Sequence, residues 1–78
     1  MNKEAAEFLE VAADMYGVDC DVRDDYVGRG PTKPQHAVVT HDPLDLMAAG
    51  IRHAADTGEA PEMEGLRTDS MGLRTVVY

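Results

Sequence analysis

A chain of 78 residues has room for one domain and one core. With no Trp, one Phe and three Tyr, that core must be filled by Leu, Val, Met and Ala at about 25 cal/mol per Å² of buried apolar area. Fifteen Asp and Glu against seven Lys and Arg give a formal charge of −8, which disfavours direct binding to nucleic acid or anionic lipid, because phosphates are repelled. The same charge either favours basic partners or only serves solubility, as in a salt-rich cytoplasm. No apolar run approaches the roughly 20 residues of a membrane span. The first residues carry acids and alanines where a secretory signal has a basic and then an apolar stretch, so a cytoplasmic protein is expected. The single cysteine, Cys20, has no partner for an internal disulfide and reads as a reduced, buried thiol.

In chain order, Asn2 or a neighbour starts a helix to about Tyr16, where Gly17 offers a left-handed stop. Its apolar side gathers Ala5, Phe8, Leu9, Ala12, Met15 and Tyr16, with Glu7, Glu10 and Asp14 opposite and Glu4 at the edge. Val11 projects among those acids. From Val18 to Tyr26 the sequence alternates. Val18, Cys20, Val22, Asp24 and Tyr26 are expected to face the helices, with Asp19, Asp21, Arg23 and Asp25 on the other face.

Two glycines and two prolines make 27–35 a loop, locally basic through Arg29 and Lys33. His36 to Thr40 reads as a short strand, paired as a hairpin with the one before it. Asp42-Pro43 announces a second helix: an acid at the N-cap, proline at the first helical position and Asp45 in the first turn. Its expected apolar face is Leu44, Met47, Ala48, Ile51, Ala54 and Ala55, with Leu46 off the stripe, His53 a polar residue elsewhere and Gly58 the stop. Gly50 in its interior suggests close packing against a neighbour.

After the acidic connection 58–65, Leu66 to Tyr78 reads as a terminal hairpin with turn chemistry at Asp69-Ser70 and Gly72, its last strand placed inside the sheet. The expected fold is α+β, in the order helix-strand-strand-helix-strand-strand. It has a mainly antiparallel sheet with two helices on one face, and residues 1–78 form a single small domain. A parallel pair between the second strand and a C-terminal strand, across the second helix, is the alternative.

No constellation argues for catalysis. His36 and His41 point to opposite faces of a short strand, and neither HxxxH nor CxxC occurs, so no metal and no cofactor is expected. Ser70 beside Asp69 lacks a GxSxG elbow, and Gly28-Arg29-Gly30 is no phosphate loop. What stands out is an array of carboxylates: Glu7, Glu10 and Asp14 on a helix, Asp19, Asp21 and Asp25 on a strand, and Glu59, Glu62 and Glu64 in a connection. Such an array either imitates the phosphates of a duplex to a basic partner surface or is a solvated acidic exterior.

Tyr26-Val27-Gly28-Arg29-Gly30 and the terminal Arg67-Thr68-Asp69-Ser70-Met71-Gly72-Leu73-Arg74-Thr75-Val76-Val77-Tyr78 together resemble a pattern in small proteins of bacteriophages and prophages, a setting in which some small acidic proteins are anti-CRISPRs. The resemblance implies a phage-borne inhibitor of a host complex. It also implies that Tyr26, Gly28 and Arg29 lie near Asp69, Ser70 and Gly72, with Arg29 or Arg67 pairing Asp69 or Asp24, as one surface or one structural clasp. The expectation is a non-enzymatic protein whose acids bind a basic surface of a type I CRISPR-Cas complex, with Val11, Leu46 or Tyr78 slowing release. The alternative is a small homodimeric structural or regulatory protein whose acidity is incidental.

Overall fold

The computed structural model describes residues 1–28 and 33–78. Helix α1 (Lys3–Tyr16) is followed by β1 (Asp21–Tyr26), β2 (Gln35–Thr40), helix α2 (Pro43–Thr57), β3 (Thr68–Met71) and β4 (Arg74–Val77). All pairings are antiparallel and the order across the sheet is β1-β2-β4-β3. β4 therefore lies inside the sheet, as expected of the terminal strand. The parallel alternative does not occur, because β4 stands between β2 and β3. Helix α1 packs on β1 and β2, and α2 packs on α1, so the helices cover the β1–β2 half of one face rather than β4.

Each face of the sheet carries an apolar cluster. On the helix side Ala6, Leu9, Ala13, Val38 and Leu46 are fully buried, with Val18, Cys20 and Val22 against them. On the opposite side Ala37, Val39, Val76 and Tyr78 cluster with Tyr26 and Met71. The period of two in the ladder explains the division, since Val38 and Val39 point to opposite faces.

The ends of α1 form as the sequence implies. The Asn2 side chain accepts from the Ala5 N–H at 2.8 Å, and Gly17 closes the helix at φ 67°. Its buried stripe is Ala5, Ala6, Leu9, Ala12 and Ala13. Met15, expected inside, is 55% exposed, because the helix turns its alanines to the core and so approaches its neighbours closely.

Helix α2 keeps its expected bounds but not its expected face. Leu46, Ala49 and Gly50 are buried, His53 is half-buried against Phe8 with ring centroids 4.8 Å apart, and Leu44 and Ile51 are 84% and 70% exposed. Close packing decides this. A Cβ on Gly50 would stand 2.9 Å from Leu9 Cδ2, so the small-residue side seats on α1 and the larger aliphatic side turns out.

β1 also departs from strict alternation. Between Arg23 and Tyr26 three steps on β1 match two on β2, from Ala37 to Gln35. This bulge leaves Asp24 exposed and carries Tyr26 to the face opposite the helices. In the last hairpin Asp69 and Ser70 belong to β3 rather than the turn. Met71 pairs with Arg74 across Gly72-Leu73, and Gly72 supplies the positive φ, 64°, that a two-residue connection needs.

Thr40, fully buried at the end of β2, ties the segment before β1 to the start of α2. Its hydroxyl donates to the Asp19 carbonyl at 2.6 Å and accepts from the Asp42 N–H at 3.0 Å. Asp42 itself makes no side-chain cap bond, and Thr40 satisfies the Asp42 N–H rather than the N–H groups of the first helical turn. Thr40→Val keeps the shape and strands both partners, which should cost about 1–3 kcal/mol, read as a lower urea midpoint at unchanged m-value.

Candidate functional site: the acidic helical layer

The excess charge is not spread over the molecule. Segments 1–18 and 41–66, which hold both helices and the acidic connection, contain ten of the fifteen acids against Lys3 and Arg52, and so account for the whole −8. The strands and the loop between β1 and β2 balance five acids with five bases. A neutral sheet is thus backed by a strongly anionic helical layer.

Within that layer Glu4, Glu7, Glu10 and Asp14 are all exposed on α1. The three- and four-residue steps from Glu7 to Glu10 to Asp14 place a carboxylate about every 4.5–6 Å along the axis. Lys3 approaches Glu7 at 3.8 Å with both side chains mostly solvated, a pair that contributes little. Among the described residues no base pairs with Glu10 or Asp14. Val11, 48% exposed, is the apolar centre of this patch, whereas Leu46 and Tyr78 are buried and cannot contact a partner.

Between α1 and the end of α2 runs an open groove of about 400 Å³, lined among others by Glu4, Glu7, Phe8, Val11, His53 and Glu59. Its lining mixes the apolar Phe8, Val11, Ala60 and Pro61 with the exposed acids Glu4, Glu7 and Glu59, a combination suited to the stem and head of a Lys or Arg side chain. His53 Nδ1 is buried without a hydrogen-bond partner among the described residues. The inward turn of α2 places this ring at the groove, a position that its apolar pattern conceals.

The acids expected on the first strand differ, and Asp19 lies before β1 rather than in it. Asp19 holds His41, accepting its backbone N–H at 3.1 Å and meeting Nδ1 at 2.7 Å, while Asp21 lies 3.7 Å from Arg74. Asp25 is exposed. β1 is an edge strand, and charges with a bulge are what keep an edge from pairing with another chain. The strand carboxylates are accounted for by edge protection and internal pairing, and the helix carboxylates are not.

Two titrating groups report on the junction between the layers. Burial first, and then the charges of Glu10, Asp19 and Asp21, push the Cys20 thiol up to about 11, so it is a protonated, half-buried thiol. The hydrogen bonds from the His41 side chain and then its backbone hold the Asp19 carboxyl below its ordinary value of 3.8. A carboxylate depressed by folding stabilises the protein above the unfolded value, and that contribution disappears as pH falls through the lower folded value. Asp19→Asn should therefore make the loss of stability below about pH 4 shallower in unfolding curves.

The second motif forms a clasp. Tyr26 reaches across the open face so that its hydroxyl donates to Asp69 Oδ2 at 3.4 Å, and its ring lies 4.9 Å from that of Tyr78. Gly28 sits so close to Tyr78 that a Cβ would stand 2.7 Å from the ring. Asp69 Oδ1 accepts the Ser70 backbone N–H at 2.8 Å, a bond that orients the acid structurally. Ser70 is exposed on β3 and Gly72 is in the turn. Arg29 and its expected pairing lie outside the described residues.

The described residues contain no group of three or more His, Cys, Asp or Glu able to hold a metal ion, and no helix long and apolar enough to cross a membrane. Compared with known protein families, curated proteins and solved structures, the chain matches none.

Proposed function

We propose that this protein is a non-enzymatic, phage-type inhibitor that acts by binding. Its acidic helical layer occupies the basic, nucleic-acid-handling surface of a host defence complex, of the type I CRISPR surveillance class, and blocks DNA recognition. One observation carries the reading: the full −8 resides in the segments that hold the helices and the connection after α2, where, among the described residues, Glu7 meets only the solvated Lys3 and no base pairs with Glu10 or Asp14. The resemblance of the Tyr26 and Arg67–Tyr78 motifs to small phage proteins supplies the biological setting.

The mechanism is electrostatic and steric. Long-range attraction speeds encounter with a basic channel. Close contact at Val11 and insertion of a partner's basic side chain into the Glu4, Glu7 and Glu59 groove slow release. The test is displacement of labelled duplex DNA from such a complex by the purified protein, which the reading expects and whose absence overturns it. The competing reading, a homodimer with incidental acidity, is favoured by the bare aliphatic face of α2.

A further inference from the structure

Folding leaves one side of α2 apolar and uncovered, opposite the side that seats on α1. Leu44 and Ile51 are 84% and 70% exposed. Ala48 and Ala55 are exposed beside them and Met47 is half-buried. At 100° per residue these five positions fall within one stripe, diametrically opposite the Leu46, Ala49 and Gly50 side that seats on α1. Leu44, Met47, Ile51 and Ala54 also follow the three- and four-residue spacing of a helix-pairing seam.

We propose that this stripe is the interface of a homodimer, in which α2 pairs antiparallel with α2 of a second copy. Two features of the stripe point to its own copy as the occupant. The first is fit. In a twofold pair centred at Ala49, Leu44 of one copy lies level with Ala54 of the other, beside Ala55, and Met47 lies level with Ile51, so large side chains meet small ones at the ends and each other at the centre. The second is charge. Asp45 and Arg52 are seven residues apart and share one flank of the stripe, both exposed. The twofold axis sets Asp45 of each copy within about one residue's rise, 1.5 Å, of the level of Arg52 in the other. Within one copy the Arg52 guanidinium carbon lies 4.7 Å from the Tyr16 ring at the end of α1, and the Tyr16 hydroxyl donates to Asp56.

A helix of 15 residues is about 22 Å long at 1.5 Å per residue, so one helix pair falls short of the roughly 800 Å² per partner of a standard stable interface. The dimer is therefore reversible and concentration-dependent. It does not rest on the inhibitor reading. The carboxylates of α1 lie beyond the opposite side of α2 and stay free in the pair.

Sedimentation velocity on the full chain, from about 10 μM to about 1 mM, tests the proposal. The wild type should shift reversibly from monomer to dimer, and the dimer should persist in high salt. Leu44→Glu with Ile51→Glu, both at exposed positions, should weaken association at least tenfold while leaving the circular dichroism spectrum unchanged. Arg52→Asp alone should also weaken it. Combined with Asp45→Arg, which returns the net charge to that of the wild type, it should restore the dimer. A wild type that stays monomeric across the range overturns the proposal and leaves the stripe to a different protein. Dimerisation indifferent to the two glutamates, or a charge exchange that fails to rescue, overturns it as well.

Discussion

Deletion of Val76, Val77 and Tyr78 should abolish cooperative folding. These residues are 0%, 2% and 9% exposed and belong to or follow the strand between β2 and β3. Val77 is paired on both sides, with Val38 and with Thr68, and Tyr78 exchanges backbone hydrogen bonds of 2.7 and 2.9 Å with Arg67. Buried Val and aromatic side chains contribute roughly 1.5–3 kcal/mol each, so the three residues carry about 5–9 kcal/mol. That is comparable with the total stability of a domain at roughly 0.05–0.15 kcal/mol per residue. The expected result is loss of the sigmoidal urea transition and of the sheet signal in circular dichroism. A deletion variant that unfolds cooperatively near the wild-type midpoint would show that β4 is dispensable. Tyr78→Phe, which keeps the ring against Tyr26 and Gly28, should stay folded.

Reversal of Glu7, Glu10 and Asp14 to lysine should weaken inhibition at least tenfold, about 1.4 kcal/mol. Three exchanges of two charges each bring the formal charge from −8 to −2 and place the new cations where a basic partner would seat. All three positions are exposed, and surface substitutions of this kind stay within about 0.5 kcal/mol of stability, so the loss would reflect binding rather than unfolding. Asp21 and Asp25 changed in the same way should matter less, because Asp21 already faces Arg74. Unimpaired inhibition by the α1 variant would remove that helix from the site.

The fold was largely legible. Asn2, Gly17, Asp42-Pro43 and Gly58 mark helix ends through local backbone chemistry, and the Val-rich run before Tyr78 marks a central strand. What stayed hidden depended on relations between elements. The bulge between Arg23 and Tyr26 is a mismatch with β2, so alternation along β1 alone puts Tyr26 on the wrong face. The inward face of α2 was set by the close seat of Gly50 on Leu9, and a hydrophobic pattern that weighs Leu44 and Ile51 above Ala49 and Gly50 points outward. The acids were legible as a count and not as a distribution. Only the fold shows that Asp19 and Asp21 meet His41 and Arg74, whereas Glu10 and Asp14 stand clear.

The proposed competition of unmatched helical carboxylates with DNA for a basic surface is tested most directly by displacement of labelled duplex from a type I surveillance complex, measured across a range of salt. Displacement should occur with an apparent affinity that falls steeply as salt rises, since exposed charges are screened within about 8 Å at physiological ionic strength. Displacement with the same affinity at low and high salt would contradict it.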